Sequence, residues 1–379
     1  MLLDRVYEAL QKSPKNVARK VSEKARIRFG VQVQTGPISH VIKQSVLCEK
    51  TGLDSVWYPD HFIGGHPSLV WLDPYVAMTM MGINTSKITV GVAATDSVRR
   101  HPATMAQCLA TIDQVINGRV ALAIGAGEAM NLAPFGISME NLCTRLKEAV
   151  HVIKLLWTAD HTNPAKFNGE FFSLKDTYLQ IKPVRKPHPP IYVGAFGERM
   201  LQLTGELADG WLPFSHTPES YKKCLYGSIK AAAEKAGRSL SDIEPALLPI
   251  TAISMDGDYA REEVEQSAKR FLVLLPSILK MVAPEVKHPG SQYTLVHWMG
   301  HLRKENMEVI SKVAENVPSK LALKTVIWGT PDDCISQIED FVEAGCRHFI
   351  FGLRGKNVEE SIRLLGTRVV PYFREKEKR

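Results

Sequence analysis

Four short runs in this chain combine side chains that can move protons with glycines that let a ligand come close. YPDHFIGGHP (58–67) sets Asp60 beside His61, and ATDSVRRHP (94–102) carries Asp96 ahead of two arginines. GAGEAMN (125–131) places Glu128 three residues before Asn131, and GAFGERM (194–200) brackets Ala195 and Phe196 between Gly194 and Gly197. An imidazole titrates near neutrality, so His61 could steady charge at a reacting centre; the alternative is a histidine bonded to backbone for structure. A carboxyl shielded from water keeps its proton to higher pH, so Glu128 could act as an acid; the alternative is a helix cap or a ligand-orienting group. Asp60 could bond a ligand, orient His61, or be an exposed loop acid. Gly125 and Gly127 would let backbone approach a ligand, or simply make a tight turn. Gly194–Gly197, ahead of a helix, offers backbone N–H groups to an anion, although Glu198 then puts a negative charge where the anion is expected and Arg199 has to offset it. His297 and His301 stand four apart, as a helical metal pair would, but no third ligand lies at motif spacing, so no metal is expected.

These runs have to be brought together by the elements that precede them. From about residue 26 short β-rich runs alternate with longer amphipathic segments. Strands are predicted at 26–34, 53–58, 87–94, 119–127, 189–195, 209–214, 245–254 and 346–353. The run 119–127 (RVALAIGAG) is apolar throughout, as a parallel strand covered on both faces is. Helices are predicted at about 39–51, from Pro102 to the stop at Gly118 with Met105, Leu109, Ile112 and Ile116 on one face, at 141–157, 198–207 and 217–236, and at 330–345 behind the cap Thr330 and Pro331. Eight strand–helix alternations with parallel connections imply an α/β fold, a (β/α)8 barrel, with an open doubly wound sheet as the alternative. In such a barrel catalytic groups follow the C-terminal ends of strands, and the four runs above all do so. Residues 1–25 read as an added basic helical extension and 26–379 as one barrel domain. Insertions fall at about 158–189, with a hairpin-like NGEFFSLKD, and at about 276–324; segments of that length are often lids or binding loops.

The bulk composition narrows the class. No run of about 18 uncharged apolar residues exists, so no membrane span is expected, and the N-terminus lacks the apolar core of a secretion signal. Six scattered cysteines without a C-x-x-C pair suit a reducing, cytoplasmic setting. The net charge of +7 is carried by the ends: residues 1–28 hold +5 and 368–379 hold +3, which leaves −1 for everything between. Basic ends without a helix-turn-helix or RNA-binding signature do not make a nucleic-acid stripe.

GLDSVWYPDHF (52–62), GVAATDSVRRHP (91–102), GRVALAIGAGEAMN (118–131) and IYVGAFGERMLQLTGELADGW (191–211) resemble the bacterial-luciferase-like superfamily. Within it they resemble the branch that uses the deazaflavin coenzyme F420: glucose-6-phosphate dehydrogenase, methylene-tetrahydromethanopterin reductase and phthiodiolone ketoreductase. TDSVRRHP, the HPG of 288–290 and WGTPDD are most like the ketoreductase. The resemblance runs from about residue 27 to about 370 and implies hydride transfer between the deazaflavin and a small-molecule substrate carrying a ketone, C=N or activated C=C bond. The alternative is a monooxygenase using FMN on the same barrel. It implies His61 and Glu128 as catalytic residues, and cofactor contacts from Asp60, Ala93, Ala94, Asp96, Gly127, Asn131, Gly194, Ala195, Phe196 and Gly197. It also implies a homodimer and a non-prolyl cis peptide at Ala93–Ala94, where related barrels bulge behind the cofactor ring. One departure stands out: dehydrogenases of the glucose-6-phosphate type carry a tryptophan four residues after the histidine, and here that position is Gly65.

Overall fold

The computed structural model describes residues 26–64 and 67–378; the basic extension expected at 1–25 lies outside the described residues. Among the described residues there are twelve strands: β1 (Arg28–Gln32), β2 (Ser55–Tyr58), β3 (Thr89–Asp96), β4 (Val120–Gly125), β5 (Ala165–Asn168), β6 (Ser173–Thr177), β7 (Ile191–Val193), β8 (Gly210–Trp211), β9 (Glu244–Leu247), β10 (Ile250–Ile253), β11 (Ile327–Gly329) and β12 (His348–Leu353). The large sheet runs β1-β2-β3-β4-β7-β8-β9-β12, and β12 returns to pair in parallel with β1 from Arg28↔His348 to Gln32↔Gly352. That last ladder closes the cylinder and excludes the open sheet. The fold is a (β/α)8 barrel with helices outside and the C-termini of the barrel strands at one mouth.

The barrel interior is filled by unequal side chains. Trp57 and Tyr192 meet edge to face with centroids 5.5 Å apart, among Ala93, Ala121, Ala123, Leu212, Ala246 and Ile350. Their neighbours are small because they have to be. A Cβ on Gly91 would lie 2.2 Å from the Trp57 ring, and one on Gly210 would lie 2.1 Å from the Tyr192 ring. Two large rings and two glycines on adjacent strands thus share a space that uniform residues would overfill or leave void. Outside the strands, the helix Pro102–Val115 buries Met105, Leu109 and Ile112 as its spacing predicts, with His101 accepting from Ala103 N at 3.2 Å as the cap. The helix Pro331–Glu343 starts on a capping box between Thr330 and Asp333.

Several expected elements are altered. The strand expected at 245–254 is two pieces, β9 and β10, separated at Leu248 and Pro249, where proline has no N–H for the ladder. The strand expected at 209–214 keeps ladder pairing only at Gly210–Trp211. The helix expected over 217–236 contains a π turn at Leu225–Ile229. Strand β11 was not foreseen; its three residues add to β10 in parallel, a run too short for any periodicity to register. The 158–189 segment holds the antiparallel hairpin β5–β6, as NGEFFSLKD suggests. The 276–324 segment is more structured than a loop, with helices at Pro276–Val282, Lys304–Glu315 and Ser319–Ala322.

Candidate functional site

Each of the four runs sits where a strand ends at the mouth. Strand β3 reaches it irregularly: pairing with β4 shifts between Val92 and Thr95, and the Ala93–Ala94 peptide bond is cis. Gln32 of β1 donates its amide to the Ala93 carbonyl at 2.6 Å. In a strand otherwise closed to solvent from Val90 to Asp96, Ala94 alone is exposed, so a methyl group is offered to the mouth.

Behind this edge lies a locked set of charges. Arg99 spans Asp60 (3.0 Å) and Asp96, and Arg100 reaches Asp60 at 2.7 Å and Asp73 at 2.9 Å. Thr95 donates its hydroxyl to Asp60 at 2.6 Å, and Arg99 also donates to the Asp60 carbonyl at 2.9 Å. Asp96 accepts from Val98 N and Arg99 N as well. The side chains of Asp60, Asp96 and Arg99 are 1%, 3% and 2% exposed, so their charges face protein. Arg99 was not among the expected site residues. The signal was present in sequence, since two buried acids at strand ends need a cation and RR follows one of them.

In front of this set stand His61 and Glu128. Their side chains are 23% and 25% exposed, with Nδ1 of His61 3.6 Å from Oε2 of Glu128. Asn131, buried in the short helix Ala129–Leu132, joins them: its Nδ2 is 2.8 Å from His61 Nδ1 and 3.5 Å from Glu128 Oε2. Burial pushes the Glu128 carboxyl above the usual carboxylate range, and the nearby His61 and Arg99 offset only part of that. Burial also pulls the His61 imidazole down, against Glu128 and with the help of Arg99. Burial thus disfavours the charged form of both groups.

A tryptophan does stand beside His61, but from later in the loop. Trp71 packs edge-on with centroids 4.6 Å apart, and its ring fills the space a Cβ on Gly64 would need, at 2.2 Å. The position expected to lack the ring, Gly65, lies outside the described residues. The 276–324 segment covers the same loops: Met130 N donates to the Trp298 carbonyl at 3.1 Å, and His301 Nδ1 donates to the Gly64 carbonyl at 2.9 Å. His297 is turned to Thr294 instead, so the two histidines do not converge, and no cluster of three metal-ligating side chains occurs among the described residues.

Across the mouth, the run after β7 leaves an open edge. Gly194 N is tied to Ile124 O, Trp211 Nε1 donates to the Ala195 carbonyl, and Ser277 donates to the Phe196 carbonyl. Gly197 then begins the helix Glu198–Leu207 without a side-chain cap, and a Cβ there would meet nothing within 4 Å. Glu198 does not close this end. Its carboxylate accepts from Gln202 at 2.9 Å and Ser228 at 2.7 Å, along the helix and away from its first N–H groups.

A barrel of this kind has known counterparts. The family model for luciferase-like monooxygenases matches residues 21–348. The chain belongs to that family. It is 29% identical over 364 residues to an F420-dependent glucose-6-phosphate dehydrogenase of Nakamurella multipartita, covering 92% of this chain and 97% of the relative. It is 29% identical over 342 residues to a phthiodiolone/phenolphthiodiolone dimycocerosates ketoreductase of Mycobacterium tuberculosis, covering 85% and 89%. Among solved structures, a coenzyme F420-dependent tetrahydromethanopterin reductase from Methanopyrus kandleri superposes with a TM-score of 0.75 at 22% identity, over 92% of this chain and 100% of that one. An F420-dependent secondary alcohol dehydrogenase in complex with an F420–acetone adduct superposes with a TM-score of 0.74 at 26% identity, over 92% and 99%. As in its luciferase-like relatives, the chain is a closed parallel barrel; among the described residues no helix is long and apolar enough to cross a membrane.

Proposed function

We propose that this protein is a coenzyme F420-dependent oxidoreductase that reduces, or in reverse oxidises, a small organic molecule at a carbonyl or an activated C=N or C=C bond. The observation that carries this reading is the His61–Asn131–Glu128 constellation, with a carboxyl pushed above the usual carboxylate range by burial at a mouth lined by Ala94 and Gly127. The named relatives support the same cofactor. The residues present fit such a group. Ala93, Ala94 and Gly127 leave a flat approach beside Asn131 for a ring, and the uncapped N–H groups after Gly197 suit an anionic side chain. When bound, a deazaflavin supplies two-electron hydride chemistry and no acid.

The remaining work falls to the chain. Reduction of a carbonyl puts negative charge on oxygen, and a buried oxyanion is costly unless it is bonded or protonated. Glu128 delivers that proton and ends as a carboxylate; in the oxidative direction it takes one. His61 holds the same oxygen. Asp60 and Asp96 serve from behind by fixing Arg99, whose guanidinium lies 4.9 Å from the Phe62 ring and so steadies the His61 loop. Trp71 and the Trp298 segment limit water at the reacting centre.

The test is to purify the protein, add reduced deazaflavin and a panel of ketones, imines and enones, and follow loss of its absorbance. Turnover with at least one of them is expected. A protein that retains FMN and consumes oxygen with substrate would replace this reading by a flavin monooxygenase. The reading extends to a homodimer in a reducing, cytoplasmic setting. Six free thiols support the setting, and family resemblance supports the dimer. A clean monomer in sedimentation at micromolar concentration would refute the dimer.

A further inference from the structure

We propose that Asn131 is a positioning residue that sets the tautomer of His61, so that the imidazole meets the ligand as an Nε2–H donor and cannot serve as the acid. The orientation of the Asn131 amide is dictated by its partners. One end accepts from Phe62 N at 2.7 Å and from Ile63 N at 3.1 Å. Two backbone N–H groups can be met only by an oxygen, so this end is the carbonyl. The other end is then NH2, and it faces His61 Nδ1 at 2.8 Å. A donor there needs a lone pair, so Nδ1 is unprotonated and the neutral ring carries its hydrogen on Nε2.

The same contact works against an imidazolium. Protonation of Nδ1 would set an N–H against an N–H at 2.8 Å. Glu128, with Oε2 3.6 Å from Nδ1, would by itself favour that proton; Asn131 occupies the atom at which it would bind. The other groups packed on the ring do not reverse this. Trp71 contributes an edge-on ring at 4.6 Å, the positive Arg99 further disfavours a charged imidazole, and Asp96, which favours one, acts more weakly than Arg99. Nε2 has no partner among the described residues, and the ring is 23% exposed, which leaves this N–H for a ligand oxygen. The two groups then divide the work: His61 steadies an oxygen without giving up its hydrogen, and Glu128 moves the proton. This division rests on the reductase reading; the tautomer does not.

The experiment separates the two. In uniformly 15N-labelled full-length protein, with and without added deazaflavin, two-bond proton–nitrogen correlations report each ring nitrogen of His61. A pyridine-type Nδ1 and a pyrrole-type Nε2 are expected, assigned by loss of the signals in His61→Ala. Asn131→Asp is the matching variant. One carboxylate oxygen still accepts from Phe62 and Ile63, while the other accepts from Nδ1–H, so the tautomer should reverse and the ring should titrate at higher pH. With a working substrate, Asn131→Asp should lower kcat by roughly 10–10²-fold, as loss of one hydrogen bond to a charged oxygen does, with a smaller change in KM and an altered pH profile. A wild-type ring protonated on Nδ1 overturns the proposal even if Asn131→Asp does not fold. So does a folded Asn131→Asp protein with the wild-type tautomer and pH profile. The expected tautomer in a protein that oxidises no deazaflavin with any substrate would sink the reductase reading and leave the tautomer standing.

Discussion

Glu128 and Glu244 sit at opposite ends of the same barrel, and their surroundings give them opposite acidities. Glu128 follows the C-terminal end of β4, where burial pushes its carboxyl up and His61, Arg99 and the Asn131 amide offset only part of that. Glu244 opens β9 at the N-terminal end. Burial acts on it in the same direction, but Arg28 at 3.1 Å, with Tyr192 donating to it and His348 Nδ1 3.6 Å away, outweighs burial and holds it well below the usual carboxylate range. Around it, Arg28 also reaches Thr89, and His348 Nε2 meets Ser55, to which Trp57 donates. A carboxylate with a fixed cation and a full set of donors is a structural plug. A carboxyl with a quarter of its surface open and no dedicated cation is poised to exchange a proton.

The comparison can be broken most directly at Glu128. Glu128→Gln should keep shape and binding while cutting the chemical step by roughly 10²–10⁴-fold, the range for a general acid. Single-turnover oxidation of bound reduced deazaflavin, followed across pH, measures it. A variant with the wild-type rate and an unchanged profile would move the proton to solvent. Glu244→Gln should do the reverse: urea unfolding should show a loss of about 3–5 kcal/mol from leaving the Arg28 charge buried without its partner, with little effect on turnover per folded molecule. A loss under about 1 kcal/mol would show that the plug is dispensable.

His61→Ala tests the mouth more gently. Losing one hydrogen bond to a charged oxygen should cost roughly 10–10²-fold in turnover, with a smaller change in deazaflavin affinity. If only the cofactor dissociation constant changes, His61 is a wall of the pocket. The smallest effect expected is in stability against pH, where the two carboxyls have opposite signs. Glu244, lowered on folding, contributes stability that is present above its unfolded value near 4.5 and lost as pH falls toward its folded one. Glu128, raised on folding, favours the folded state most below 4.5, and that contribution fades as pH rises through its folded value. Denaturation midpoints in Glu244→Gln should therefore depend less on pH below 4.5, and those in Glu128→Gln less on pH above it.

Much of this was legible before any coordinates. Strand ends carried the reactive residues because a parallel barrel collects them at one mouth, and the positions of Asp60, His61, Glu128 and Asn131 followed from counting strands. Helix starts were readable where a cap and proline coincide, as at Thr330–Pro331. Strand β11 was not, because three residues show no period, and the break between β9 and β10 was masked by the apolar run on both sides of Pro249. The orientation of Glu198 was also out of reach. Its conflict with an anion disappears only because Gln202 and Ser228 hold the carboxylate along the helix.

The sequence by itself determined the barrel, the four loops at its mouth and the residue types that could transfer a proton there, since periodicity and loop chemistry are local properties. Only the tertiary structure decided which groups are paired. Asp60 is 39 residues from Arg99, His61 is 70 from Asn131, and Arg28 is 216 from Glu244. Acidity depends on burial and on charges within a few ångströms, whatever their separation along the chain. Two glutamates that read alike in the sequence thus took, through closure of one cylinder, opposite acidities at its two ends.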